Sequence, residues 1–165
     1  MGAANVAGAA SAIVIGIMLL VGAPRAAWAG DTAARAAAEA SFTRAELAAK
    51  DRRFADALAA YRDALAADPS APVAMPARAR IDDLEAHAEG GFAPLARLEL
   101  VRRDPRKSGD QAAIEALARD AEAFPPGRVR AEARVFVAEA FWHKLGEPAR
   151  AVEPLTAAFL DPSGD

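Results

Sequence analysis

Residues 54–69, FADALAAYRDALAADP, constrain the fold more than any other stretch of the chain. Apolar residues recur three and four apart, at Phe54, Ala57, Leu58, Tyr61, Ala64 and Leu65, which lays one buried stripe along a helix. Asp68-Pro69 ends it, because the residue before a proline is pushed out of the α region. An amphipathic stretch leads up to it from about Asp31 to Lys50, with Phe42, Ala45, Ala48 and Ala49 on its apolar side. Asp51-Arg52-Arg53 makes the turn between the two. A pair of short helices cannot bury its apolar flanks alone and must be covered by neighbours.

More than a quarter of the 165 residues are alanine, aromatics are few and strand formers sparse. Alanine has the best helix propensity and loses no side-chain entropy, so the composition favours an all-helical chain. It also buries little area, which leaves core energy to a few large residues. A net charge of −3 gives no basic stripe for nucleic acid. With no cysteine, disulfides, thiolate catalysis and a cysteine lipid anchor are excluded.

The pattern continues along the chain. Met75 to Glu89 reads as a helix with Ile81, Leu84 and Ala88 inward, ended by Gly90-Gly91. Phe92 to Arg103 follows, closed by Asp104-Pro105. Asp110 is placed to cap a helix running to about Phe124, with Ile114 and Leu117 inward, and Pro125-Pro126-Gly127 breaks it. Arg130 to Lys144 is strongly patterned through Val135, Ala138, Phe141, Trp142 and Leu145, which places Trp142 in the core. Gly146 turns the chain, and Pro148 starts a last helix with Val152, Leu155, Ala158 and Phe159, reaching Asp161-Pro162. Pro94 and Pro154 read as a first-turn proline or a tolerated bend.

Residues 38–71 resemble one tetratricopeptide repeat, an antiparallel helix pair of about 34 residues. Residues 131–162 resemble another, with Val137, Ala138, Phe141, Gly146, Ala151 and Pro162 within a residue of the expected places; the stretch between is a degenerate match. The three Asp-Pro stops lie 36 and 57 residues apart, so the period is not strict, and the helix at 110–124 reads as an insertion or a repeat half without its partner. The resemblance implies an all-α fold, an antiparallel helix-hairpin solenoid of about three helix pairs. It also implies a partner-binding groove lined by the first helix of each repeat. Carried across by position, that groove would use Glu39, Phe42, Glu46 and Lys50, with neighbouring Ala49, and Glu132, Glu139, Trp142 and His143, with neighbouring Val135. Phe42 and Glu46 stand where the family's carboxylate clamp needs lysine and asparagine, so that clamp is not expected. Glutamates beside Phe42 and Trp142 would suit a basic or amphipathic protein or peptide.

Residues 1–29 are a different material. Met1 to Ala23 carries no charge, Ile13 to Val21 is its most apolar run, and Ala27-Trp28-Ala29 supplies the small residues of a cleavage site before Gly30. This reads as a secretory signal peptide lacking a basic n-region, or as an uncleaved membrane anchor through residues 1–23. The domain is then 30–165, periplasmic or secreted in a bacterial envelope, or held at the inner membrane as a structural or regulatory scaffold.

No catalytic or cofactor motif stands out. His-Glu-x-x-His, a phosphate-cradling glycine loop, a nucleophile elbow and paired cysteines are all absent from the sequence. His87 and His143 have no metal-spaced neighbours, and the acids read as solvated helical faces. The reading is therefore a non-enzymatic interaction module without metal or cofactor. An envelope hydrolase or carbohydrate-binding module is the reading from another class, and no residue pattern points to it. Leu155, Phe159 and Leu160 near the chain's end either fold back on the preceding helix pair or are covered by self-association, a partner or a membrane-proximal surface.

Overall fold

The computed structural model describes residues 24–161, with side chains from residue 31 onward, and every regular element among them is helical. The expected signal or anchor run, residues 1–23, lies outside the described residues. Among those described, no helix is long and apolar enough to cross a membrane.

The first helix, α1 (Pro24–Lys50), begins upstream of the expected cleavage position and runs about 40 Å at 1.5 Å per residue. After the turn at Asp51–Arg53 the chain reverses into α2 (Phe54–Ala67). Arg52 takes a left-handed conformation in that turn, and its amide and that of Arg53 close on the carbonyls of Ala49 and Ala48. Both helices put small residues at their contact: Ala38, Ala45 and Ala48 on α1, and Ala57, Ala60 and Ala64 on α2, are all buried. Alanine at these positions lets the backbones approach closely, and Phe54 and Tyr61 fill what remains.

The third helix, α3 (Ala74–Glu85), packs on α2 and ends four residues earlier than its periodicity predicts. The Gly90-Gly91 pair does not cap it. Gly90, Gly91 and Phe92 all adopt left-handed conformations in a 3₁₀ turn (Glu89–Phe92) that leads into α4 (Ala93–Arg102). Phe92 has a Cβ and pays for that conformation in strain; burial against Phe54, with ring centroids 6.3 Å apart, holds it there. Pro94 falls in the first turn of α4, where no intrahelical donor is lost.

A short 3₁₀ turn, Lys107–Gly109, precedes α5 (Gln111–Ala123). Asp110 caps α5 as its side chain predicts, accepting the Ala113 amide at 2.9 Å. This helix is not partnerless: it packs on both α4 and α6. The α6 helix (Arg128–Glu139) widens into a π turn over Ala140–Lys144, and Gly146 in a left-handed conformation leads to α7 (Pro148–Phe159), which packs back on α6. Pro154 sits inside α7, and the helix continues through it.

Two expectations are overturned by the packing. Trp142 does not join the core; it is 56% exposed, on the same side of the helix as Val135, seven residues earlier. Val135 on the same predicted stripe is also exposed, and the buried face of α6 runs instead through Val129, Ala133, Val137 and Ala140, with Phe141 beside it. Nor are all the acids solvated. Glu99 is 1% exposed and ion-paired with Arg102 and Arg103 on its own helix, and the Asp161 carboxylate is buried between Arg130 and Arg134. Charges that deep are tolerated only when paired.

Candidate functional site

The eight groove residues read from the sequence fall into two sets on separate helices, and their freedom differs sharply. On α1, Glu39 and Lys50 are exposed, and the Glu39 carbonyl accepts the Thr43 hydroxyl at 2.9 Å. Phe42 is half-buried and edge-on to Tyr61, with centroids 5.5 Å apart. Glu46 accepts the Tyr61 hydroxyl at 2.5 Å and lies 3.3 Å from the Arg80 guanidinium of α3. Burial and the adjacent Glu46 carboxylate push the Tyr61 phenol well above its ordinary range. Phe42 and Glu46 thus tie α1 to α2 and α3, and neither is spare for a ligand.

The second set lies on α6 and its π turn. Glu132 is engaged by His87, Arg128 and Arg102, whereas Glu139, Trp142 and His143 are exposed, the last two rings stacked at 5.7 Å. Beside them runs a groove that the sequence reading did not identify. Ala131, Val135, Leu155, Thr156, Ala158 and Phe159 line a concavity of about 560 Å³ between α6 and α7. Across Ala131 and Val135 it continues into a second of about 490 Å³, bounded by Arg102, Arg128, Glu132, Phe136 and Glu139. Its outer wall is apolar and open. Phe159 is 89% exposed, and Val152, Leu155 and Leu160 of the same segment are also exposed. Although α7 packs on α6, this apolar edge is left open among the described residues. An amphipathic stripe was legible in residues 152–160; whether anything covered it was not.

A larger groove of about 700 Å³ opens on the other side of α6, among α5, α6 and α7. Much of its charge is already paired: Arg150 joins Glu115 and Glu147 and lies 4.3 Å over the Phe141 ring, while Arg134 joins Glu122. Hydrogen bonds from Gln111 and then Arg150 hold the Glu115 carboxyl below its usual value.

The connection between α3 and α4 grips the start of α6. Glu89 accepts the Arg128 amide at 2.8 Å, capping α6 from 39 residues away with a carboxylate at the positive end of the helix. Gly127 permits this, since a Cβ there would overlap the Glu89 carboxyl group. Four residues on, Glu132 Oε1 lies 2.9 Å from Nε2 of His87, whose Nδ1 is 2.5 Å from the Asp83 carbonyl. Burial alone would lower the His87 pKa, but the Asp83 carbonyl and the Glu132 carboxylate outweigh it and the pKa rises. Burial likewise opposes ionisation of Glu132; His87, Arg128 and Arg102 overcome it and hold that carboxyl below the ordinary range.

Among the described residues no cluster of three or more histidine, aspartate or glutamate side chains is placed to hold a metal ion. The groove between α6 and α7 is an apolar cleft with a mixed-charge end. Comparison with protein-family models, curated proteins and solved structures finds no match for the chain.

Proposed function

We propose that this chain is a protein-interaction module, a tetratricopeptide-like stack of about three helix hairpins that receives an amphipathic segment of a partner protein. The observation that carries the reading is the open apolar groove across Ala131 and Val135, walled by Leu155 and Phe159. Large exposed apolar surface concentrated on one pair of elements marks an interaction site rather than scattered surface chemistry. The hairpin α1–α2, the packing of α3 on α2 and the hairpin α6–α7 support the stacked arrangement.

The groove's position revises which residues meet the partner. Glu46 and Glu132 are neutralised within the chain, and the rim holds Arg102 and Arg128 as well as Glu139. Apolar fit therefore selects the partner more than net charge does, with Val135, Leu155 and Phe159 as anchors and Glu139 and Trp142 at the edge. An exported location, with residues 1–29 as signal or anchor, remains part of this proposal and accords with a role between envelope proteins.

The test is affinity capture by the full chain and by a Val135→Glu/Phe159→Glu variant whose helicity and melting temperature match the wild type. Partners retained by the wild type are lost by the variant, while Leu47→Glu, an exposed apolar position on α1, leaves them bound. Identical capture by all three proteins would refute the groove.

A further inference from the structure

Both ring nitrogens of His87 face oxygen, and the oxygens belong to different elements. The Asp83 carbonyl on α3, 2.5 Å from Nδ1, can only accept a hydrogen bond, so Nδ1 carries a proton. The Glu132 carboxylate on α6, 2.9 Å from Nε2, can only accept while ionised, so Nε2 carries one too. The two contacts are satisfied together by an imidazolium and by no neutral tautomer. A neutral ring would set a lone pair against an oxygen lone pair, in a site where His87 is 5% exposed and water has little access to compensate.

We propose that His87 is a proton-gated clamp between the end of α3 and the first turns of α6, closed when the imidazole is charged and slack when it is neutral. Every charged group around it bears on that balance. Asp83 Oδ1, on α3 four residues before the histidine, lies 3.6 Å from Nδ1 and favours the cation, as does Glu132 from α6. Arg128 on α6 and Arg102 on α4 stand 3.1 and 3.5 Å from Glu132; they keep that carboxylate ionised, so it cannot supply the missing proton itself. Glu89 is held on the Arg128 amide and leaves the ring to the other two acids.

The clamp matters because it adds an ionic tie where a shared apolar core joins these parts of the chain. α3 packs chiefly on α2, whereas α4 packs on α5 and α6. Phe92 against Phe54 and the grip of residues 87 and 89 on residues 132 and 128 bridge the first three helices to the last four. Release of His87 leaves Phe92, Glu89 and the shared apolar core as the ties, so the chain loosens locally around residues 86–92 and 128–132. Glu132 also lines the groove described above, but the clamp stands whether or not that groove binds a partner.

The sign follows from the direction of the shifts. The folded His87 pKa is raised, so its contribution is complete below about pH 6.5 and is lost as pH rises through the folded value. The Glu132 pKa is lowered, so its contribution is present above about pH 4.5 and is lost as pH falls through the folded value. The clamp is tightest between these limits.

The chain has two histidines, so an NMR titration of the imidazole resonances of the full chain follows His87 directly, its signal assigned by its loss in His87→Gln. A His87 midpoint above 6.5 is expected; one below it overturns the proposal. Thermal unfolding of wild type and His87→Gln supplies the second arm. The wild type should hold an advantage of about 2–4 °C at pH 5.5 that shrinks toward pH 8.5. An advantage that is absent or constant with pH overturns it. Should His87→Gln fail to fold, amide exchange of the wild type decides: protection at residues 86–92 and 128–132, corrected for intrinsic rate, falls between pH 5.5 and 8.5 if the clamp exists and stays level if it does not.

Discussion

Replacing Asp161 with asparagine tests whether α7 is held by a single buried carboxylate. Its side chain is 1% exposed and accepts Nε and Nη2 of Arg130 at 2.6 and 3.0 Å and Nη1 of Arg134 at 2.9 Å. Both arginines rise from α6, so this carboxylate fastens the end of α7 to the helix it packs on. Hydrogen bonds to charged groups contribute roughly 1.5–3 kcal/mol each, which would give a ceiling near 4.5–9 kcal/mol for three. The true loss is smaller, because the guanidinium groups keep some solvent and one amide oxygen can still accept. Arg134 also retains Glu122 and the Ala157 carbonyl. We expect about 3 kcal/mol, at the lower end of what breaking a buried pair costs, and a fall in melting temperature of roughly 6–12 °C.

Denaturant titration and calorimetry of Asp161→Asn, Arg130→Met and the double variant measure it. The cycle should return a coupling of at least about 1 kcal/mol, since the two groups share one network. Amide exchange should localise the loss to residues 148–160 while α1 and α2 keep their protection. Asp104→Asn is the control: it carries the same Asp-Pro motif, but Asp104 accepts the Arg106 amide in a local turn that asparagine can reproduce. It should change stability by less than about 0.5 kcal/mol. If Asp161→Asn loses no more than Asp104→Asn, the buried network is not what secures α7.

Tyr61 is the single tyrosine, so its ionisation can be followed by absorbance alone. With the phenol pushed up by burial and Glu46, tyrosinate should form only as the chain unfolds in alkali, and a titration preceding unfolding would contradict the contact. Tyr61→Phe should lower stability by about 1 kcal/mol, read from urea midpoints. Gly127→Ala drives a methyl group into Glu89 and should destabilise by about 1–3 kcal/mol. Most of that penalty should vanish in Glu89→Ala/Gly127→Ala measured against Glu89→Ala, and its persistence would locate the strain elsewhere.

The limits of sequence reading show most clearly where identical signals meet different surroundings. Phe54 to Ala67 matched its helix residue for residue, because its period, its turn and its stop are all local. Asp110 was legible as a cap for the same reason. Three Asp-Pro pairs read alike as helix stops, yet Asp68 folds onto Ser70, Asp104 onto Arg106, and Asp161 onto two arginines 31 and 27 residues back. Only the first two outcomes are written near the motif. Glu99 has partners at the helical spacings of three and four, so its pairing was readable and its burial was not. His87 and Glu132 lie 45 residues apart, and no period or motif links them. Trp142 failed for a subtler cause: its stripe begins at Val135, which is already exposed in the regular part of α6, and a period does not say which of two mixed faces meets the neighbouring helices. What this chain hides from its sequence is therefore chiefly its buried ionic contacts, which depend on which helices meet. These contacts fasten the last helix to its neighbour and add ties between the first three helices and the rest beside the shared apolar core, so a sequence comparison restricted to the apolar pattern would find the core and miss them.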